Sequence, residues 1–200
     1  MTVSKEKASL PRLSPLTISQ QVKRRGLELG LDLVGIAPVG RPESFPQYED
    51  WLQRGYHGEM TYMSRHRDKR EDPELLFPGA RSVIVGGLNY YQPLSEPQGS
   101  LVGKVARYAL GRDYHKVLSR KLKALLDYLR SLVGPQVDGR VFVDSGPILE
   151  RDLAVRSGLG WIGKNTCLIH PKKGSYLFLG ELLVTIPLEP DPPFPKNHCG

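Results

Sequence analysis

Val141-Phe142-Val143-Asp144-Ser145-Gly146-Pro147-Ile148-Leu149-Glu150-Arg151 is the stretch from which the chain is best read. Val141 and Val143 alternate with Phe142 as in a short buried strand, and the run stops at a carboxylate. Ser145-Gly146-Pro147 then turns the chain, and Pro147 suits the first turn of a helix, where its missing N–H costs nothing. A helix is therefore expected over 147–157, ended by Gly158. Asp144 falls where the strand hands over to the helix. Such a carboxylate either caps the helix or points into a cleft, and the local residues leave both roles open.

Around this stretch, 200 residues suffice for one sizeable core. The net charge of +7, from 28 Lys and Arg against 21 Asp and Glu, favours anionic partners such as nucleic acid or phosphorylated ligands. Two cysteines, Cys167 and Cys199, make no disulfide framework, and Cys167 is expected as a buried structural thiol. No apolar run approaches the roughly 18 residues of a membrane span, and no apolar stretch follows Lys5, Lys7 and Arg12 to make a secretory signal. A cytoplasmic protein without membrane contact is the expectation.

Residues 1–16, with Pro11 and Pro15, read as a flexible tail. A first helix is expected from a Thr17 cap to Gly30, then a strand at 33–37 and a helix at 42–54. The charge-rich run 59–72 reads as a solvated helix face, with Arg70 set apart because Asp72-Pro73 follows it. Ser82 to Leu88 is uncharged and β-branched, a central strand, and a Pro/Ser/Gly loop is expected over 93–103. Asp113 caps a helix whose stripe of Val117, Leu118, Leu122, Leu125, Leu126, Leu129, Leu132 and Val133 is core. Gly134-Pro135 stops it. A glycine-spaced loop over 158–166 precedes Cys167, and a long apolar strand with Glu181 inside it spans 175–186. Residues 187–200 hold five prolines, the composition of a linker.

Several chemistries find no support. The chain has no Gly-x-Ser-x-Gly elbow, no His-Glu-x-x-His helix and no Walker A loop. Gly158-Leu159-Gly160-Trp161-Ile162-Gly163 has dinucleotide-binding spacing but follows a helix rather than a strand, the wrong order for that fold. Its glycines still mark a close backbone approach, to a neighbouring element or to a bulky ligand. Asp113-x-His115 lacks the glycine of a cobalt-ligating Asp-x-His-x-x-Gly motif, since Leu118 stands there. A capping Asp113 and a surface His115 are the plainer reading.

Taken together, Ala106-Arg-Tyr-Ala-Leu-Gly-Arg-Asp-Tyr-His115, Val143-Asp-Ser-Gly-Pro-Ile-Leu-Glu-Arg151 and Gly160-Trp-Ile-Gly-Lys-Asn-Thr-Cys-Leu168 resemble the epoxyqueuosine reductase family. Arg70-x-Asp72-Pro73 and the Pro-Gly-Ala-Arg-Ser-Val-Ile run at 78–84 add to the likeness, which covers about residues 17–200. That family is similar to reductive dehalogenases in pairing cobalamin with 4Fe–4S clusters. Its members remove the epoxide oxygen of epoxyqueuosine in tRNA with electrons from an external donor.

The resemblance implies an α+β domain over 17–186, a central mixed or antiparallel sheet flanked by helices, holding cobalamin without a protein histidine on cobalt. It implies that Asp144 is the proton donor, and that Arg70, Ala106, Arg107, Tyr108, Asp144, Asn165, Thr166 and Leu168 lie along the corrin. It implies a monomer acting on tRNA. Residues 187–200 would lead into a ferredoxin-like cluster module absent from this chain, with Cys199 matching the first of its cysteine ligands. One thiolate cannot hold a four-iron cluster, so the chain reads as a family fragment without its electron path. A related corrinoid reductase, or a non-catalytic cobalamin- or tRNA-binding module, are the alternatives.

Overall fold

The structure, a computed structural model, describes residues 14–93, 103–194 and 198–199. The expected tail up to residue 13 and most of the 93–103 loop lie outside the described residues. Helix α1 spans Pro15–Glu28. Its cap is Ser14, whose hydroxyl accepts the Thr17 N–H at 3.2 Å, so the helix starts ahead of the expected boundary at residue 17. Pro15 takes the first helical position, where no N–H is needed. Strand β1 (Leu33–Pro38) and helix α2 (Phe45–Gln53) follow.

The charged run at 59–72 is not one solvated helix. It forms α3 (Thr61–Arg65) and α4 (Arg67–Glu71), broken at His66, and Arg70 is buried. Strand β2 (Ser82–Asn89) leads through a 3₁₀ turn (Arg107–Ala109) to α5 (Tyr114–Val133), capped by Asp113 as its sequence dictates. Strand β3 (Gly139–Phe142) precedes α6 (Glu150–Arg156), which starts three residues after Pro147. The expected helix at 147–157 is therefore short, and Asp144 does not cap it. Strands β4 (Trp161–Ile162) and β5 (Leu168–Ile169) pair as a hairpin, β4 lying inside the stretch expected as a loop, and β6 covers Leu177–Val184.

The four long strands form one antiparallel sheet in the order β1-β2-β6-β3. Alternation along β2 sends Ile84 to one face and Val83 and Val85 to the other. The first face packs under α1 and α5, whose Leu118, Leu122, Leu125 and Leu129 are fully buried. The second face packs under α6 through Leu153 and Ala154. Cover on both faces explains why β2 carries no charge. Gly86 and Gly180 are partners across β2 and β6, and Leu122 lies over both. A Cβ on Gly180 would come 3.1 Å from Leu122 Cδ1, so the missing side chains let α5 seat closely.

The proline-rich segment after β6 does not hang free. Leu188 is buried, and its N–H donates to Ser82 Oγ at 2.8 Å. Asp191 accepts the Ile36 N–H at 2.9 Å and pairs with Lys23 Nζ at 2.5 Å. The Phe194 N–H reaches Val155 O at 3.1 Å. Segment 187–194 is thus strapped across β1 and the end of α6. Among the described residues, no helix is long and apolar enough to cross a membrane.

Leu122 is the keystone of the α5 face, and truncating it opens a cavity above a glycine pair that cannot fill it. Leu122→Ala is expected to destabilise the fold by about 2–5 kcal/mol, read as a lower urea midpoint with an unchanged m-value.

Candidate active site

Strand β3 ends at Phe142, and the chain then makes a tight loop before α6. The Ser145 N–H closes onto Val143 O at 2.6 Å and the Ile148 N–H onto Gly146 O at 2.9 Å. Gly146 lies against the Phe142 ring, where a Cβ would clash. Within this loop Asp144 is left-handed, with φ of 57°. Asp tolerates that region better than most residues, yet the conformation still costs on the order of 1 kcal/mol. It is held by a 2.7 Å hydrogen bond from the Asp144 N–H to Glu150 Oε1, at the start of α6.

The Asp144 carboxylate is exposed and stands between two hollows. One, of ≈ 670 Å³, is lined by Tyr48, Trp51, Arg70, Asp144, Arg151 and Thr166. The other, of ≈ 190 Å³, is lined by Asn89, Tyr90, Arg107, Tyr108, Tyr114 and Phe178. They meet at a 2.5 Å hydrogen bond from Tyr114 Oη to Asp144 Oδ2. The Tyr114 ring stacks on Phe178 at 3.9 Å and on His115 at 4.1 Å, which fixes its hydroxyl. Burial and the adjacent Asp144 carboxylate push the Tyr114 phenol up, so it remains a donor. His115 places Nε2 3.5 Å from Asp144 Oδ2 and Nδ1 3.0 Å from Asp113 Oδ1. Both ring nitrogens are thereby turned to carboxylates.

Of the other residues singled out in the sequence, Arg70 and Thr166 line the larger hollow and Arg107 and Tyr108 the smaller, while Ala106, Asn165 and Leu168 line neither. Arg70 reaches the larger one but spends its guanidinium on Met63 O at 3.1 Å and lies over the Tyr48 ring. Thr166 is left-handed, with φ of 63°, and its carbonyl accepts from Arg151 Nη1. Asp144 and Thr166 are the two non-glycine residues with positive φ among the described residues, and both line the same hollow. Strain concentrated in this way marks functional sites. Asn165 turns its side chain back to the Cys167 N–H at 3.1 Å, and the Leu168 side chain is buried in the lower core. In the smaller hollow Arg107 donates to Gln92 O and lies over Tyr91, while Tyr108 is exposed. Ala106, exposed, starts the 3₁₀ turn that carries them.

One expectation needs correction, and an open one is narrowed. Cys167 is exposed rather than buried, because the tip of the β4–β5 hairpin turns its side chain outward. The glycines at 158–163 serve neighbouring elements: a Cβ on Gly158 would strike Pro192 O at 2.7 Å, and one on Gly163 would strike Ile169. Cys199 Sγ accepts the Trp161 indole N–H at 3.4 Å, and this bond and a Lys164 contact hold its thiol below the usual range. Among the described residues no three His, Cys, Asp or Glu side chains are grouped to hold a metal. A single thiol does not fit a four-iron cluster.

Tyr114, Glu150 and Glu181 are site residues that the motifs do not single out. Glu181 is a charge inside an apolar strand, a signal legible in sequence. Period two sets it on the face of Leu179 and Leu183, under α6, where it is fully buried with neither oxygen hydrogen-bonded. Burial, then Glu150 and Asp144, raise its carboxyl well above the usual range. Burial and Asp144 likewise push Glu150 up to about 7, against the hydrogen bond from the Asp144 N–H.

Comparison with known proteins agrees with this frame. The family model described as epoxyqueuosine reductase QueG, DUF1730, matches residues 70–145. An epoxyqueuosine reductase of Cyclobacterium marinum is 47% identical over 185 residues, 91% of this chain and 59% of that protein. The Escherichia coli enzyme is 44% identical over 187 residues, 92% of this chain and 49% of that protein. The chain thus spans about half the length of the curated relatives it matches. Among solved structures, Bacillus subtilis epoxyqueuosine reductase, with its catalytic aspartate loop swung out of the active site, superposes with a TM-score of 0.78 at 28% identity. That match covers 89% of this chain and 48% of the other. An epoxyqueuosine reductase with an epoxyqueuosine-modified tRNA-Tyr stem loop gives 0.77 at 29% identity, over 87% and 47%. A reductive dehalogenase, titled for B12-dependent dehalogenation, shares the fold with a TM-score of 0.60 at 17% identity, over 95% and 22%.

The two buried acids set a pH dependence of stability. Between pH 4.5 and its raised value in the fold, each is protonated in the folded and ionised in the unfolded chain, so the stability it gives is full below pH 4.5 and lost as pH rises, through about 7 for Glu150. The loss is at most about 1.4 kcal/mol per pH unit for each acid. Glu181→Gln is expected to match the parent at pH 4.5 and exceed it at pH 8, as read by urea denaturation at both values. By sequence and by fold, the chain is similar to epoxyqueuosine reductases over most of its own length.

Proposed function

We propose that this chain carries the reductive site of an epoxyqueuosine reductase, in which cobalamin lies across the two hollows and Asp144 gives the proton to the departing epoxide oxygen. The observation that carries this reading is the Asp144 carboxylate at the junction of the hollows, strained in backbone and bonded by Tyr114. The donor set suits the cofactor. Val105, Tyr108 and Leu110 expose apolar surface beside Arg107 and Asn89, as a flat macrocycle rimmed with amides requires. With both His115 nitrogens turned to carboxylates, no side chain of that segment is poised to ligate cobalt. When bound, cobalamin would supply the low-potential electrons that open the epoxide.

The protein's share is proton management. Tyr114 occupies Asp144 Oδ2, which leaves Oδ1 to carry the transferable proton. Substrate and macrocycle covering the exposed carboxyl would remove water and favour its protonated form. Removing the oxygen takes two electrons and two protons and releases water: a first proton from Asp144 makes the opened ring's oxygen a hydroxyl, and a second, delivered after Asp144 is reprotonated from solvent, lets it leave as water. Between the two, Tyr114 and His115 stabilise the Asp144 carboxylate. Thr166 and Arg151 close the far wall of the larger hollow, and Arg70 braces α3 against Tyr48 so that this wall keeps its shape. The net positive charge and the tRNA stem loop seen with a relative support tRNA as the substrate. The swung-out aspartate loop of the Bacillus subtilis relative supports mobility of the 143–149 loop here.

Visible spectra of the purified chain titrated with cobalamin test the first half. Asp144→Asn is expected to bind it with the parent's spectrum, while turnover of epoxyqueuosine-bearing tRNA with a chemical reductant falls by about 100-fold or more. Unchanged turnover would remove Asp144 as the donor, and absence of binding would remove the cofactor.

A further inference from the structure

Glu150 is the first residue of α6, and one of its oxygens is committed to a main-chain N–H rather than to a cation. That N–H belongs to Asp144, the residue whose backbone is strained. The groups around Glu150 come from four elements. Asp144 lies on the loop, Arg151 on α6, His115 on α5 and the unpartnered Glu181 on β6. Arg151 gives a guanidinium nitrogen to Thr166 O, and His115 faces Asp113 and Asp144, while the Asp144 N–H donates to Glu150 Oε1.

We propose that Glu150 is a positioning residue, a latch whose carboxylate holds Asp144 left-handed and facing the cleft, and which loosens its hold on the loop when it takes up a proton. The inference rests on Asp144 being the proton donor for its functional meaning, but the latch itself is a property of the loop. An ionised acceptor binds an N–H about twice as strongly as a neutral one, so protonation weakens the hold without removing it. Burial sets the change near neutrality, where Glu150 titrates at about 7. Burial raises the Glu181 carboxyl beneath it well above the usual range, which disfavours a second buried charge beside Glu150. The sign follows: the loop is latched above that pH and loosened below it.

Hydrogen exchange of the Asp144 and Ser145 amides in the 200-residue chain, as protection factors corrected for intrinsic exchange, reads the latch directly. The parent should show roughly fivefold to tenfold greater protection of the Asp144 amide at pH 8.5 than at pH 5.5. Glu150→Gln keeps the shape and an acceptor oxygen but does not titrate, so its protection should be equal at the two pH values. Glu150→Ala should lose protection at both. If the alanine variant does not fold, the glutamine variant still decides. Parent protection that is flat with pH, or a glutamine variant that keeps the parent's dependence, would overturn the latch. In turnover, Glu150→Gln should flatten the acid limb of the kcat profile without changing KM for tRNA, and an unchanged limb would count against it. Asp144→Asn with full activity but a pH-dependent loop would sink the donor assignment and leave the latch standing.

Discussion

An antiparallel sheet covered on both faces has only its ends left for chemistry. Leu122 above the Gly86–Gly180 pair and Leu153 beneath Val83 and Val85 close the two sides. What remains open is the rim where β3 runs out at Phe142 and the chain must return as α6. The Asp144 loop, the 3₁₀ turn carrying Arg107 and Tyr108, and the β4–β5 hairpin carrying Thr166 supply that rim. A rigid interior therefore positions three short, irregular segments that would hold no geometry on their own.

The interior also supplies the electrostatics. Two carboxylates, Glu150 and Glu181, lie under a third, and burial raises the proton affinity of both. Such a cluster costs stability at neutral pH. Its presence at the one rim where the backbone is strained is the pattern expected where stability is given up for function.

Much of the fold was legible. The uncharged run at 82–88 could only be a strand covered on both faces, and the α5 stripe with its Asp113 cap and Gly134 stop has one reading. The turn chemistry around Pro147 misled, because the proline sits in a loop closed by local N–H···O contacts and α6 begins only at Glu150. The charged run at 59–72 misled because charge density alone cannot show that Arg70 folds inward over Tyr48. In the site, motif likeness pointed to Asp144, Arg70, Arg107, Tyr108 and Thr166, which line the hollows, and to Ala106, Asn165 and Leu168, which do not. It missed Tyr114 and Glu150, whose roles come from a fixed phenol and a main-chain bond. A glutamate inside an apolar strand was the visible hint of Glu181.

The strap formed by 187–194 has a mechanical consequence. Asp191 ties the chain to β1 and Lys23, Phe194 docks on α6, and Trp161 takes hold of Cys199. Residues 187–194 are therefore anchored along their length, and the Cys199 thiol is held against the hairpin by the Trp161 N–H. Trp161 belongs to the same two-strand hairpin as the turn that carries Thr166. Thiol and cleft wall thus share one hairpin, and a reaction partner brought to Cys199 would rest on the same element that carries Thr166.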